Sequence, residues 1–493
     1  MDLNRRQAAL IVSGLAAAAL LCACTVGPNF HRPAVQSASA YRPTGESAPV
    51  GSSAAAAERR APAAAAYRQK ILLGAPATSE WWALFQSPQL DELMRRAMAD
   101  NRNLAAAKDT LAQARELVAA QSGQLYPQVS LLASTGRQKY GAQFLGTFAV
   151  APFTYEAVGA SVHYVLDYAG GTARSVEEQK ALAQYERSEV EAAGLTLTGD
   201  VASEAVIIAA TRGQIRAAAE LLSEDRDNVS LVRTAFVNGS VSKLDVLTAQ
   251  SQLASDQTLL PPLYQQLAMA RHALAVLLGH PPADWSQPDL ELADIRLPRE
   301  LPVSVPSQLV RRRPDILAAE AQLHAATAAV GVATANLYPQ IALTATLGQQ
   351  ALTPAKLFDT SSAAWSLIAG LTQPLFDGGT LRAERRASLD ALHASAERYQ
   401  QVVLDSFGQV ADLLDALDHD AQLVAAQANA RDTSQASLEL ARQSYQAGNS
   451  GLLQVLDAQR LRQRAELGFL EAQSRQYLDT IQLLLAVGGA PLT

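Results

Sequence analysis

The stretch Leu125-Tyr126-Pro127-Gln128 recurs unchanged as Leu337-Tyr338-Pro339-Gln340. Two more segments repeat in the same order: Gly170-Gly171-Thr172 returns as Gly378-Gly379-Thr380, and residues 236–250 (FVNGSVSKLDVLTAQ) parallel residues 445–459 (YQAGNSGLLQVLDAQ). The copies lie about 210 residues apart, far more than a solenoid unit. The repeats therefore predict one duplicated domain, whose halves are connected by the proline-rich residues 281–314.

Long helices are predicted in both halves, because no proline occurs at 153–260 or 375–490 and proline is excluded from helix interiors. In each half an amphipathic helix ends at the Tyr-Pro-Gln motif, since the residue before proline avoids the α region. A second, very long helix follows the Gly-Gly pair. In the first half it spans about 60 residues, with Gly194, Gly199 and Gly213 as places where it could break. In the second half a heptad-like apolar stripe indicates coiled-coil packing and comprises Leu389, Leu392, Ala396, Tyr399, Val403, Phe407, Val410, Leu414 and Leu417.

Four strands are predicted between these helices, two in each half. Apolar residues alternate with small or polar ones at 129–134, 158–167, 341–348 and 365–372. Each strand is long enough to cross a membrane when tilted, but a spanning barrel needs at least eight strands. A membrane interpretation therefore requires oligomerisation, with eight strands in a dimer and twelve in a cyclic trimer. The alternative is an ordinary soluble sheet.

Composition excludes several classes of protein. The chain has 493 residues, 49% of them apolar, and a formal net charge of -7, which argues against global disorder and against a nucleic-acid partner. By length it would hold about three domains. The mean hydropathy of +0.02 is too low for a polytopic helical membrane protein. Two cysteines cannot build a disulfide scaffold.

The N-terminus has the pattern of a secretory signal. Arg5 and Arg6 precede an apolar stretch at 8–21, which is too short to span a bilayer as a helix. The stretch ends in Leu21-Cys22-Ala23-Cys24, similar to a bacterial lipobox with Cys24 as the acceptor of diacylglycerol and N-acyl lipid. Thr25 after the lipid site indicates sorting to the outer membrane. The alternative is an ordinary signal peptide with incidental cysteines.

These features together resemble the TolC-type outer-membrane efflux family, in its NodT/OprM-like lipoprotein branch. The resemblance is carried by the two repeated junctions, by the lipobox with Thr25-Val26-Gly27-Pro28, and by the opening Trp81-Trp82…Phe85. It implies a mainly α fold with a membrane β-barrel: a homotrimer with one twelve-stranded β-barrel and an α-helical barrel. It also implies an exit duct in the outer membrane, coupled through a periplasmic adaptor to an inner-membrane pump of RND or MFS type.

The expected segments are a signal peptide at 1–23, a lipidated tether at 24–78, a first efflux repeat at 79–280, a connector at 281–314 and a second repeat at 315–489. The family's gate lies at hairpin turns, which here are 238–240 and 448–450. By resemblance, Leu453 and Asp457 constrict the pore, and Asp245 and Tyr445 tether neighbouring hairpins. Gln454 and Ser450 depart from the founding member, which has an acidic residue and an arginine there.

Each gate residue also has a simpler interpretation. Asp457 could be a solvated helix residue and Leu453 ordinary hairpin packing. Asp245 could be a first-turn acid favoured by the helix dipole, and Tyr445 a packing aromatic. The same duct could serve type I protein secretion. The long helices also fit a periplasmic adaptor lipoprotein or a soluble coiled-coil protein.

No motif for enzymatic chemistry is present. The sequence has no phosphate-binding glycine loop, no nucleophile elbow and no paired-histidine metal motif, so neither an enzyme nor a cofactor is expected beyond the lipid on Cys24. His163 is predicted on the polar face of a strand. The cluster formed by Asp415, Asp418, His419 and Asp420 is predicted to be a solvated helix face. The run Arg311-Arg312-Arg313 is predicted to be a structural connector with salt bridges.

Overall fold

The computed structural model describes residues 25–34, 41, 64–75, 79–141, 151–285 and 289–488. The predicted signal peptide, the lipid acceptor Cys24 and most of the predicted tether lie outside these residues. The chain divides into two compact units: the first contains residues 1–33, 110–187 and 318–400, and the second contains residues 34–109, 188–317 and 401–493. Both halves of the repeat contribute to each unit.

The regular elements follow the duplicated plan. The strands are β1 (Lys70–Leu73), β2 (Gln128–Gln138), β3 (Phe153–Leu166), β4 (Glu300–Val303), β5 (Gln340–Ala351) and β6 (Ala363–Thr372). The helices are α1 (Pro88–Asp100), α2 (Arg102–Gly123), α3 (Gly171–Val237), α4 (Lys243–Gln257), α5 (Leu260–Leu277), α6 (Pro306–Leu309), α7 (Pro314–Ala335), α8 (Thr380–Gln446) and α9 (Leu452–Ala486). A 3-10 helix at Trp81–Phe85 precedes α1.

The first unit contains a four-stranded antiparallel sheet in the order β2-β3-β5-β6. The four strands predicted from alternation are confirmed, two from each half. Val162 in β3 lies opposite Val129 in β2 and Ala345 in β5, and Ile341 in β5 lies opposite Leu371 in β6. The β3–β5 pairing thus joins the two halves of the repeat through main-chain hydrogen bonds.

The two faces of this sheet differ in polarity, as a period of two requires. Most of the large exposed apolar side chains lie on one face and include Val129, Leu131, Leu347, Trp365, Leu367 and Leu371, whereas Leu132 and Ile368 are exposed on the other. On the other face, the hydroxyl oxygens of Thr346 and Ser366 lie 2.6 Å apart, and Nδ1 of His163 lies 3.3 Å from Oγ1 of Thr344. The predicted position of His163 on the polar face is confirmed.

The very long helices are confirmed, because α3 and α8 contain 67 residues each. Each corresponds to about 100 Å of helix. The three glycines do not break α3. A Cβ built on Gly199 would lie 3.2 Å from Cγ of Leu485, so this glycine lets α3 and α9 pack closely. In α8 the predicted stripe is buried at Tyr399, Val403, Val410 and Leu417.

The second unit has an apolar core between the long helices and the N-terminal helices. Its largest buried side chains include Trp81, Phe85, Leu90, Met94, Ile208, Leu274, Leu278, Ile295 and Leu309. Nε1 of Trp81 donates to Oγ1 of Thr198 at 3.3 Å, which satisfies the indole where it is buried. Ser87 caps α1 by accepting a hydrogen bond from the Leu90 backbone.

Two further features of this unit concern the connector. β1 and β4 pair in parallel from Lys70 opposite Glu300, and nothing in the sequence patterns had predicted this pair. The predicted salt bridge in the connector is confirmed, since Nε and a terminal nitrogen of Arg313 donate to both oxygens of Asp315 at 3.0 and 2.7 Å. Arg313 also donates to the Ala486 carbonyl at 3.0 Å, which holds the connector against α9.

The prediction of a solvated acidic face at 415–420 is wrong for Asp420. This side chain is buried against α9, and Nε of Arg475 lies 3.3 Å from its Oδ1. Asp418 is half-exposed and forms an ion pair with Arg68 at 3.4 Å. The pattern of charges along one helix did not reveal that α9 and residues 64–75 cover this face.

Candidate functional site: the turns of the two helical hairpins

Both hairpin turns begin with a glycine cap at the end of a long helix. Gly239 has φ +72° and Gly448 has φ +74°, a conformation that favours glycine. The backbone of Ser240 donates to Ala235 at 2.9 Å, and that of Asn449 donates to Ser444 at 2.9 Å. These are the bonds of a Schellman cap, and they confirm that the chain turns at both predicted positions.

In the first hairpin, Asp245 belongs to the cap of α4. The backbone and hydroxyl of Ser242 donate to Oδ2 of Asp245 at 2.8 and 2.7 Å, and the Asp245 backbone donates to the Ser242 hydroxyl at 3.3 Å. This is a capping box. The hydrogen bond from the Ser242 hydroxyl, followed by that from its backbone, lowers the pKa of Asp245. The carboxylate therefore stabilises the first turn of the helix that returns from the hairpin.

In the second hairpin, Leu453 and Asp457 lie one turn apart on the same face of α9. Leu453 is 60% exposed, and the Asp457 side chain is 57% exposed. Oδ1 of Asp457 lies 3.3 Å from a terminal nitrogen of Arg460. Within one chain both side chains are therefore accessible to solvent or to another copy.

Tyr445 lies at the base of the second turn, where it packs against Leu438, Ala441, Val455 and Ala458. Within the described part of one chain, Asp245 bonds to Ser242 and not to Tyr445. Among the same residues, Oγ of Ser450 is buried without a hydrogen-bond partner, and the backbone of Gln454 donates to the Gly451 carbonyl at 3.2 Å. A single chain thus does not bring the predicted tether residues together.

Sequence reasoning missed a polar network that ties both hairpins together. Glu224 on α3 accepts from Nε2 of Gln459 at 3.0 Å, and Arg442 and Arg462 lie 3.2 and 3.3 Å from its Oε1. Gln459 in turn accepts from Asn228 at 2.7 Å. The network joins α3 to α8 and α9. The sequence held one sign of this network: Gln459 is the last residue of the second copy of the repeated hairpin segment.

The described residues contain no group of three or more His, Cys, Asp or Glu side chains arranged to hold a metal ion. A family profile described as outer membrane efflux protein matches residues 93–280 and 305–489. The chain belongs to the outer membrane efflux protein family.

Individual members of this family are similar over most of their length. The chain is 33% identical over 419 residues to the pyoverdine export outer membrane protein OpmQ of Pseudomonas aeruginosa, covering 83% of this chain and 87% of OpmQ. It is 28% identical over 410 residues to the probable outer membrane lipoprotein SilC of Salmonella typhimurium, covering 83% and 87%. The solved structure of the outer-membrane channel OprN matches with a TM-score of 0.84 at 26% identity, covering 95% of this chain and 99% of OprN.

The predicted function and location are thereby confirmed in outline. This outer membrane efflux protein is an exit duct of efflux pumps in the bacterial outer membrane, and it is not an enzyme. Its helices and its four-stranded sheet form the fold of the efflux channels. Membership of the family decides against the periplasmic adaptor and against the soluble coiled-coil protein.

Proposed function

We propose that this efflux protein acts as a homotrimer whose three sheets close a twelve-stranded barrel. The observation that carries the proposal is the sheet, in which no described strand pairs with the outer edge of β2 or of β6. Unpaired edges are intolerable in lipid, because every backbone polar group there needs a partner. The apolar side chains exposed along one face, from Val129 to Leu371, suit contact with lipid.

The repeat predicts how the copies would pair. Val129 in β2 corresponds to Ile341 in β5 through the shared Tyr-Pro-Gln motif, and these two residues lie opposite Val162 and Leu371 respectively. Val162 therefore corresponds to Leu371, and by the same motif Ala345 corresponds to Ala133. Since Val162 lies opposite Ala345 within the chain, Leu371 of one copy is expected opposite Ala133 of the next.

Disulfide crosslinking tests this assembly. A chain carrying both Leu371→Cys and Ala133→Cys should form a ladder on non-reducing gels that ends at three copies. A matched control chain carrying Leu371→Cys and Leu132→Cys should crosslink weakly, because adjacent residues of a strand point to opposite faces. A ladder that ends at two copies, or equal crosslinking in both chains, contradicts the proposal.

We propose further that Cys24 carries the lipid anchor, as the name of SilC suggests for a relative. The neighbouring segment supports this position. The Val26 backbone donates to the Ala169 carbonyl at 3.1 Å, so the chain next to Cys24 lies beside the end of β3. A lipid there would enter the same membrane as the strands. Labelling with a palmitate analogue should be lost in Cys24→Ala and retained in Cys22→Ala, and equal labelling of both variants contradicts the anchor.

The gate is proposed at the hairpins, with Leu453 and Asp457 as the constriction. Three copies of Asp457 would form a carboxylate ring that favours cations. The exposure of both side chains on one face of α9 supports this role. Asp245 and Tyr445 are proposed as the tether between hairpins, and this requires that Asp245 bind a second partner beside Ser242. Adaptor contact would release the tether and open the hairpins like an iris.

The remaining partners follow from the family. We propose a periplasmic adaptor and an inner-membrane pump of RND or MFS type, because the duct has no motif for an energy source of its own. The expected cargo is small toxic compounds, and type I protein secretion stays the second candidate. The proposed organisation keeps a tether at 24–78, repeats at 79–280 and 315–489 and a connector at 281–314. Co-purification of the crosslinked pump complex tests the partners: recovery of a protein-secretion transporter instead contradicts the efflux assignment.

A further inference from the structure

Each helical hairpin holds a pair of aspartates that faces across its two helices. In the first hairpin, Asp225 on α3 and Asp256 on α4 are both buried, and their carboxyl groups lie within hydrogen-bonding reach of each other. In the second hairpin, Asp420 on α8 and Asp479 on α9 both approach Nε of Arg475, and their carboxyl groups lie within hydrogen-bonding reach of each other. The proposed duct and gate use none of these four residues. A hydrogen bond between two carboxyl groups requires that one of them carry a proton.

The second pair is buried beneath one exposed cation. Asp420 is 2% exposed, and its buried Oδ2 accepts no hydrogen bond from a described donor. Nε of Arg475 lies 3.3 Å from Oδ1 of Asp420 and 3.8 Å from Oδ2 of Asp479. The Arg475 side chain is largely solvated, so its charge only partly compensates two carboxylates.

Among the described residues, no further cation forms an ion pair with Asp420 or Asp479. One helical turn beyond Asp420, an apolar cluster of Val424, Ala428, Phe469 and Ala472 fills the space between α8 and α9. In the neighbouring segment 64–75, Nε of Arg68 forms an ion pair with Oδ1 of Asp418 at 3.4 Å. On α8 itself, His419 is the sequence neighbour of Asp420.

The first pair has similar surroundings. Asp225 is 3% exposed, and its buried Oδ2 likewise accepts no hydrogen bond from a described donor. Oδ2 of Asp256 accepts a hydrogen bond from Nε2 of Gln252 at 2.8 Å. One turn beyond Asp225, an apolar cluster lies between the helices and contains Val229, Val232, Val246 and Ala249. The charge of Glu224, which precedes Asp225 on α3, also contributes to raising the pKa of Asp225.

The cations near this first pair are already engaged. Arg442 on α8 and Arg462 on α9 bind Glu224 at 3.2 and 3.3 Å. No described cation forms an ion pair with Asp225 or Asp256.

Burial, then the hydrogen bond from the facing acid and its charge, raise the pKa of Asp225 to about 7. The same causes in the same order raise the pKa of Asp420 to about 7, against the opposing effect of Arg475. Near neutral pH and below, each pair thus holds a proton and forms one strong hydrogen bond between helices. Above this pH both acids of a pair are charged and repel each other.

We propose that the two aspartate pairs are proton-controlled clamps, each holding the two helices of its hairpin together in mildly acidic surroundings and releasing them in alkaline surroundings. The effect on conductance rests on the proposed function, because it requires the hairpins to be the gate. The clamps themselves do not depend on it.

Amide hydrogen exchange of the full-length protein, measured between about pH 5 and about pH 8, tests the clamps. The separated helices would leave each acid with an ordinary pKa of about 3.9, so only the packed state retains the proton near neutral pH. After correction for intrinsic exchange rates, the equilibrium constant for hairpin opening should rise by up to about tenfold per pH unit towards pH 7 and then level off. A wild-type profile without this slope overturns the proposal.

Reciprocal variants separate the two clamps. Asp420→Asn keeps the size and the neutral charge of the protonated acid, so it should abolish the slope in α8–α9 and retain it in α3–α4. Asp225→Asn should do the opposite, and the exposed Asp412→Asn should retain both slopes. If an asparagine variant fails to assemble, Asp479→Asn or Asp256→Asn provides the same comparison. Equal slopes in both hairpins of every variant contradict the assignment.

Single-channel conductance over the same pH range separates the clamps from the gate. Conductance that rises together with hairpin opening between about pH 5 and about pH 7, and then levels off with it, supports both. Opening that depends on pH while the conductance stays constant supports the clamps and contradicts the hairpin gate. Constant opening overturns the clamps, whatever the conductance does.

Discussion

Replacement of Arg174 by alanine should release the segment that follows the proposed lipid anchor. Arg174 lies on the first turn of α3 and is 4% exposed. It donates to the Val26 carbonyl at 3.2 Å, to Oδ1 of Asn29 at 2.6 Å and to Oε2 of Glu177 at 2.7 Å. The same segment packs Phe30 on His324, with ring centroids 4.3 Å apart. One buried guanidinium therefore holds the segment at two points.

The size of the destabilisation caused by Arg174→Ala follows from the burial of this arginine. Removing one partner of a buried ion pair destabilises by about 3–5 kcal/mol. Because the Glu177 side chain is 30% exposed and can be hydrated, the lower end of this range applies, about 3 kcal/mol. Since about 1.4 kcal/mol corresponds to a factor of ten, local opening of the segment should increase about a hundredfold.

Hydrogen exchange at the Val26 amide, which donates to the Ala169 carbonyl, reports this opening. The repeat provides the matched control. Arg382 follows Gly378-Gly379-Thr380 as Arg174 follows Gly170-Gly171-Thr172, but Arg382 is exposed. Arg382→Ala should leave Val26 exchange unchanged. If both variants change this exchange to the same extent, Arg174 does not hold the segment.

Three further outcomes are expected. Asp457→Ala should raise the conductance of the resting trimer and reduce its preference for cations, whereas unchanged values in planar bilayers would exclude the constriction. In urea titrations, Gly199→Ala should lower the free energy of unfolding by about 1–3 kcal/mol, because the added Cβ meets Leu485. Gly408→Ala should instead raise the free energy of unfolding by up to about 1 kcal/mol, because the space around Gly408 is open and alanine favours a helix. Burial raises the pKa of Glu177, but hydrogen bonds from His324 and Arg174 outweigh it and lower the pKa. The stabilisation from Glu177 is therefore present above its ordinary pKa and lost as the pH falls through the lowered value. Hydrogen exchange at the Val26 amide, corrected for intrinsic rates, should then increase in acid. An exchange rate that does not change with pH contradicts this.

Much of the fold could be predicted from local sequence. Pro127 and Pro339 end helices because the preceding residue cannot stay helical, and the glycines of the hairpin turns mark positions that need a positive φ. Alternation over ten or more residues revealed the strands. Such signals are local, because each depends on the conformation of a few neighbouring residues.

The candidate site was less accessible to this reasoning. Asp245 has the spacing of a capping acid and was assigned to a tether by resemblance, and the structure adds its bonds to Ser242. Glu224 carries no motif, and its partners Arg442 and Arg462 come from helices more than 200 positions away. Charge pairing across such distances depends on how the helices pack.

The sequence by itself determined the duplicated order of strands and long helices, the turn positions and the polarity of the two faces of the sheet. Only the tertiary structure decided which of two equivalent residues in the two halves of the repeat is buried and bonded. Arg174 is buried by residues 26–29 and Arg382 is not, although both follow the same Gly-Gly-Thr motif. Asp420 looks like a solvated acid along α8 and becomes a buried one because α9 covers it. Burial and pKa depend on neighbours brought together by packing, and a local pattern does not specify those neighbours.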